Sequence, residues 1–185
     1  MHLYLSSSSP LHSTFSNEEG QVLYKVETPV MSLSARTSTI SCVVPSTSGP
    51  DSTTSMQDTF ALLGQVEHNR FSSSVMRFGG NEFKTKDYFR KEGLGPYGRH
   101  RVFTASDGRE YKWLLQDSKS KLITNDEAKT LVASFHVKHF GIIGKARPAS
   151  LEIFPPGEHI VQEILITFIY IEKIRKDKEA AAHSQ

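Results

Sequence analysis

The chain holds a single cysteine, Cys42. An intramolecular disulfide is therefore impossible, which removes the small secreted, cross-linked scaffolds from consideration. There is no Asn-x-Ser/Thr acceptor, and the opening MHLYLSSSSP has neither a basic stretch nor a sustained apolar one, so a secretory signal is not expected. An excess of one charge is missing too: the formal net charge is +2 and the pI about 8.6. That balance does not announce nucleic acid. No apolar run reaches the ~20 residues that a membrane-spanning helix needs, and the nearest, Ile160 to Ile171, is interrupted by Gln162, Glu163 and Thr167. A Walker loop, a G-x-S-x-G elbow and a His-Glu-x-x-His helix are all missing, so the usual signatures of nucleotide, acyl-transfer and zinc-peptidase chemistry are lacking. The expectation is a cytoplasmic or nuclear protein that is not an enzyme and carries neither cofactor nor metal.

What the chain does have is one very apolar segment, IVQEILITFIYIEKI from Ile160 to Ile174. A surface helix keeps a polar face, whereas a helix apolar all round must be buried. Ile, Val and Thr also favour strands, but the run far exceeds an ordinary strand of about 5–6 residues. Glu158 ahead of it, and Lys173, Arg175, Lys176 and Lys178 at its end, suit the two poles of a helix dipole. At 185 residues the chain suffices for one domain, since a chain of that order buries roughly 70% of its unfolded surface. The domain is read as 1–179 with a disordered tail at 180–185.

The rest reads as short strands. Val22, Tyr24 and Val26 alternate with Leu23, Lys25 and Glu27, with Leu11 to Phe15 as the partner across a Ser16–Gly20 turn. Ile40, Cys42 and Val44 share a side, which makes Cys42 a small buried hydrophobe. Phe60, Leu62 and Val66 alternate up to His68; Val75–Phe78 and Phe83–Phe89 flank a Gly79-Gly80-Asn81 turn. Asp107-Gly108 is a favoured hairpin turn, because both residues tolerate positive φ. Beyond it Tyr111, Trp113 and Leu115 face one way. Leu131 to Val137 and Leu151 to Ile153 are further strands, ended by Pro155-Pro156-Gly157. Pro45 to Ser55 is almost wholly Ser, Thr, Pro, Gly and Asp and reads as a flexible loop. Many strands at short spacing mean a sandwich or barrel. A closed sheet hides its edges and gives a helix without a polar face a dry interior. The fold class expected is mainly β, an antiparallel β-barrel around a buried C-terminal α-helix.

Several residues invite a chemical reading. Gly93, Gly95 and Gly98 spell G-x-G-x-x-G, but Arg99 to Thr104 reads as a strand where a dinucleotide site needs a helix. A flexible loop is the expectation there. His136 and His139, three apart on a strand, point to opposite faces, which is wrong for one metal ion. His159 beside Glu158 reads as a neighbour of the helix cap. Glu110, Glu152 and Glu163 are carboxylates without a spacing that demands acid–base work. The segment from Lys84 to Arg101 is different: Lys84, Lys86, Arg90, Lys91, Arg99 and Arg101 outweigh Asp87 and Glu92, a local charge of +4. Phe83, Tyr88, Phe89 and Tyr97 are interleaved. Such a cluster is either a solvated stretch whose rings turn inward or a grip on an anionic membrane, at about 1 kcal/mol per cation. Stacking on single-stranded nucleic acid is the weaker option.

GQVLYKVETP, RTSTIS, FALLGQVEHN, RVFTASDGREYKW and SLEIFPPGEHIVQEILITFIYIEKIRKDKE together resemble a domain family of unknown function abundant in mushroom-forming (basidiomycete) fungi. That family is similar, distantly, to the tubby-like barrels: tubby C-terminal domains, phospholipid scramblases and plant LURP-one-related proteins. The resemblance implies an antiparallel barrel wrapped around a hydrophobic C-terminal helix. Tubby domains bind phosphoinositides through surface cations, which makes an anionic lipid headgroup or a protein the implied partner. The calcium segment of scramblases is not carried over, because Lys119 and Lys121 stand in Asp117 to Ala128 where early calcium ligands would be required. Two other readings stay open: a protein-interaction scaffold controlled through the Ser/Thr-rich loop, and a small enzyme of unfamiliar constellation.

Overall fold

A computed structural model describes residues 1–29, 35–44, 59–69, 72–116, 119–139 and 146–182; the Pro45–Ser55 segment lies outside the described residues. In chain order the strands are β1 (His2–Leu5), β2 (Ser13–Ser16), β3 (Val22–Glu27), β4 (Ala35–Val44), β5 (Thr59–Asn69), β6 (Val75–Phe78) and β7 (Asn81–Lys84). After a single-turn helix α1 (Thr85–Tyr88) come β8 (Arg90–Gly95), β9 (Gly98–Thr104), β10 (Glu110–Leu114), β11 (Lys121–Thr124), β12 (Leu131–His136) and β13 (Ser150–Ile153). A 3₁₀ turn, Pro155–Ile160, leads into α2 (Val161–Ala182).

All strands join one 13-stranded sheet in the order β7-β6-β5-β4-β3-β2-β1-β13-β12-β11-β10-β9-β8. Every neighbouring pair is antiparallel. Each strand pairs with its neighbours in sequence, and β1 with β13 ties the two ends of the chain together. The exception is β7 with β8. The expected closed barrel is therefore corrected to a sheet open at one seam. The reason is local: between Lys84 and Arg90 the chain coils instead of extending. The Phe89 amide donates back to the Thr85 carbonyl at 3.0 Å, and the Thr85 amide to the Ser74 carbonyl at 2.8 Å, so neither can form a rung across the seam. Aromatic rings occupy the gap. Phe78, Phe83, Tyr88, Phe89 and Phe103 form a continuous chain of ring contacts with centroids 5.0–6.0 Å apart.

Every residue from Ile164 to Glu172 is buried, as the missing polar face requires. The partners surround the helix. Trp113 Nε1 donates to Thr167 Oγ1 at 3.0 Å. Trp113 and Phe135 bring their rings to within 6.0 and 5.1 Å of Phe168. From the seam, Phe89 stacks on Tyr170 at 5.1 Å. On the β5 side Gly64 stands so near that a Cβ there would lie 3.0 Å from Ile166 Cδ1. Each large apolar side chain so enclosed contributes about 1.5–3 kcal/mol. The helical hydroxyl is also satisfied, since Thr167 Oγ1 donates to the Glu163 carbonyl at 2.7 Å.

Other expectations need correction. The helix runs through Ala182, which is consistent with the high helix propensity of alanine. Arg175, expected only to complement the helix dipole, is 4% exposed and pairs with Glu172 through Nε–Oε1 at 3.0 Å. The strand expected over Phe83–Phe89 is β7 followed by α1. Cys42 is half-buried rather than enclosed, and Phe60 and Leu62 are exposed, because the paired ends of β4 and β5 outrun the six-residue β3 beside them.

Candidate binding surface

The six cations of the 84–101 segment fall into three groups. Arg90, on β8, is neutralised: its guanidinium meets Glu110 of β10 in a fork, Nη1–Oε1 2.6 Å and Nη2–Oε2 3.0 Å. Val102 of β9 pairs with Arg90 on one side and Lys112 on the other, and Glu110 lies two residues before Lys112, opposite Thr104. The Arg90 fork, then a hydrogen bond from Asn125 at 2.9 Å, hold the Glu110 carboxyl down at about 2. Next to it Lys112 Nζ lies 2.6 Å from Glu92 Oε2. This face of the sheet thus carries charges in balance.

Lys84 and Lys86 form the second group, at the end of β7 and in α1, both exposed. Lys91, Arg99 and Arg101 form the third, on the β8–β9 hairpin. Lys91 and Arg101 sit directly opposite each other across the two strands, an arrangement that costs energy for like charges. Arg99 Nη2 donates to the Lys91 carbonyl at 2.8 Å, and Arg101 Nη1 donates to the Arg99 carbonyl. Among the described residues, no carboxylate pairs with Lys84, Lys86, Lys91, Arg99 or Arg101. The hairpin therefore brings three cations together, while Arg90 drops out of the set.

The glycine triad, expected to be a flexible loop, is part of this paired hairpin. Gly93 and Gly98 take φ of +59° and +105°. A Cβ on Gly95 would stand 2.6 Å from the Leu115 carbonyl and 2.7 Å from the His100 ring. His100 in turn accepts a hydrogen bond from the Leu115 amide at Nδ1, 3.3 Å away, and burial, followed by Lys112, holds its pKa below the usual imidazole value. Leu94, between these glycines, is 81% exposed. The interleaved aromatics turn inward: Phe89 is 3% exposed, and Tyr97 packs on the core.

The other singled-out residues are held apart. His136 Nε2 meets Glu152 Oε2 at 2.9 Å, and His139 shares a backbone bridge with Arg147. His159 Nε2 lies 2.8 Å from Asp107 Oδ2, so it faces the β9–β10 turn and not the helix cap. Among the described residues, no group of three or more His, Cys, Asp or Glu gathers as a metal site would require, and no helix is long and apolar enough to cross a membrane. Glu110 and Glu152 lie on β10 and β13, with β11 and β12 between them. At about 4.8 Å per strand they are roughly 14 Å apart across the sheet, beyond the widest spacing of paired catalytic carboxylates in glycosidases, about 9.5 Å.

The sequence reading missed the exposed Leu94, whose signal was an isolated leucine between two glycines, and the neutralisation of Arg90 by a residue twenty positions away. No curated protein and no solved structure matches the chain. Residues 8–177, which include the cationic hairpin and most of the terminal helix, match one described as a family of unknown function (DUF6593), and the chain belongs to that family.

Proposed function

We propose that this protein is a non-enzymatic binding module of tubby-like kinship that docks on anionic lipid headgroups, phosphoinositides among them, at a cytoplasmic membrane surface. The observation that carries this reading is the β8–β9 hairpin: Lys91, Arg99 and Arg101 without a carboxylate partner among the described residues, beside a Leu94 that is 81% exposed. Like charges held opposite each other are costly unless an anion offsets them, and a bare leucine on the same hairpin suits the acyl boundary beneath a headgroup layer. An antiparallel sheet around a C-terminal helix supports the tubby-like kinship.

Co-sedimentation with phosphatidylcholine vesicles, with and without phosphoinositide, tests it. Binding is expected only to the anionic vesicles and should weaken with salt. The Lys91→Ala/Arg99→Ala/Arg101→Ala variant loses about 3 kcal/mol at about 1 kcal/mol per cation, roughly 100-fold in affinity, and Leu94→Ser weakens binding without changing the melting temperature. No binding to either vesicle at any salt concentration defeats the proposal.

A further inference from the structure

A second site lies at the open seam. Where the β6–β7 hairpin and the end of β9 stand apart, a cavity of about 400 Å³ opens over the first turns of α2. That volume is within the range of small-molecule sites, about 300–1,000 Å³. Its apolar walls are Leu63, Phe78, Phe83, Tyr88 and Ile166, and among the described residues Glu163 of α2 carries the one charge in its lining. The cavity follows from the same break that opens the sheet. A strand continuing from β7 would have run beside Phe103 and Thr104; α1 diverts the chain and leaves the space.

Glu163 sets the chemistry. The Ser106 amide donates to its Oε1 at 3.2 Å and to its Oε2 at 3.1 Å, and the Ser106 hydroxyl donates to Oε1 as well. These neutral donors orient the carboxylate without cancelling its charge. Among the described residues no cation pairs with it. The neighbouring Asp107 is already taken, by Tyr111 Oη at 2.7 Å and by His159. Burial, and then the Glu163 charge, push the Tyr88 phenol upward, so the ring beside the carboxylate stays neutral and presents an apolar, electron-rich surface. We infer that the seam cavity is a binding site for a small organic cation with an apolar body, its ammonium on Glu163 and its body against Phe78, Phe83 and Tyr88. An anion would meet the carboxylate and be repelled. A cation gains both the ion pair and ring contacts worth about 0.5–2 kcal/mol. This site is independent of the cationic hairpin, has the opposite charge preference, and stands or falls apart from the lipid reading.

Three isosteres titrated into the full chain test it: 4-phenylbutylammonium, 4-phenylbutanol and 4-phenylbutanoate, followed by amide and methyl chemical shifts. Saturable shifts at Ser106, Leu63 and Ile166 are expected, tightest for the ammonium, roughly fivefold to tenfold weaker for the alcohol, and not detectable for the carboxylate. Glu163→Gln keeps an acceptor for the Ser106 amide and should abolish the preference for ammonium over alcohol. The charge order is read on the unaltered chain, so it stands even if that variant folds poorly. No saturable shift with the ammonium at millimolar concentration, binding of the carboxylate as tight as that of the ammonium, or shifts centred elsewhere would each overturn the inference.

Discussion

Removing one member of the buried ion pair in α2 should cost more than removing both. Glu172 is 0% exposed and Arg175 4%. Arg175 reaches the carboxylate through Nε at 3.0 and 3.2 Å and Nη2 at 3.1 Å, and Ser120 Oγ donates to Oε1 at 2.6 Å. Arg175→Met leaves a carboxylate enclosed with a single hydroxyl donor, and such a break costs about 3–5 kcal/mol. Arg175→Met with Glu172→Leu removes the charge as well. Among the described residues, the buried group left without a partner is the Ser120 hydroxyl, at about 1–2 kcal/mol; Glu179, which also loses Arg175, has a side chain open to water. With a urea m-value of about 2 kcal/mol/M for a domain of this size, the single variant should shift the unfolding midpoint down by roughly 1.5–2.5 M and the double by less than 1 M. Trp113, the only tryptophan and 0% exposed, reports both transitions by fluorescence. A double variant as unstable as the single one would show that packing, and not the enclosed charge, decides the cost.

Two further outcomes follow from the core. His68 bonds Ser38 Oγ at 3.0 Å, and burial, with Lys173 adding and Asp177 opposing, lowers its pKa to about 4. Its neutral form is the folded one, so its contribution is complete above the unfolded value of about 6.5 and fades as pH falls toward about 4, by roughly 3 kcal/mol; urea midpoints between pH 7 and 4 should show this loss, and His68→Gln should flatten it. Gly157→Ala would put a Cβ 2.7 Å from Val132 Cγ1 and 2.8 Å from Ile164 Cδ1, and calorimetry should show a loss of about 1–3 kcal/mol.

The buried helix was legible because between Ile164 and Ile171 only Thr167 and the phenol of Tyr170 offer polar groups, and two hydroxyls cannot make a solvated face. The hairpin at Asp107-Gly108 was legible because turn chemistry is local: Gly108 takes φ of +79°. β1 and β11 escaped notice, since a strand of four residues has only two inward positions, and Leu3 with Leu5 is a pattern that chance also produces. The open seam was beyond reach, because it depends on whether Phe89 bonds across to β7 or back to Thr85. The hairpin cations were legible by composition, but their division was not: the Arg90–Glu110 fork joins positions brought together only by the β8–β9–β10 register. The seam cavity draws Leu63, Phe78, Ser106 and Glu163 from four separate segments, and no local pattern foretells that.

The central claim is that Ile164 to Glu172 of α2 leave no face in water. In a Cys42→Ser background, each position from Ile164 to Ile171 replaced in turn by cysteine and exposed to a thiol reagent under native conditions tests it most directly. Every position but 166, which lines the seam cavity, should label only at the rate of global unfolding. Fast labelling along a stripe three to four residues apart would place one face of the helix in water and contradict the account.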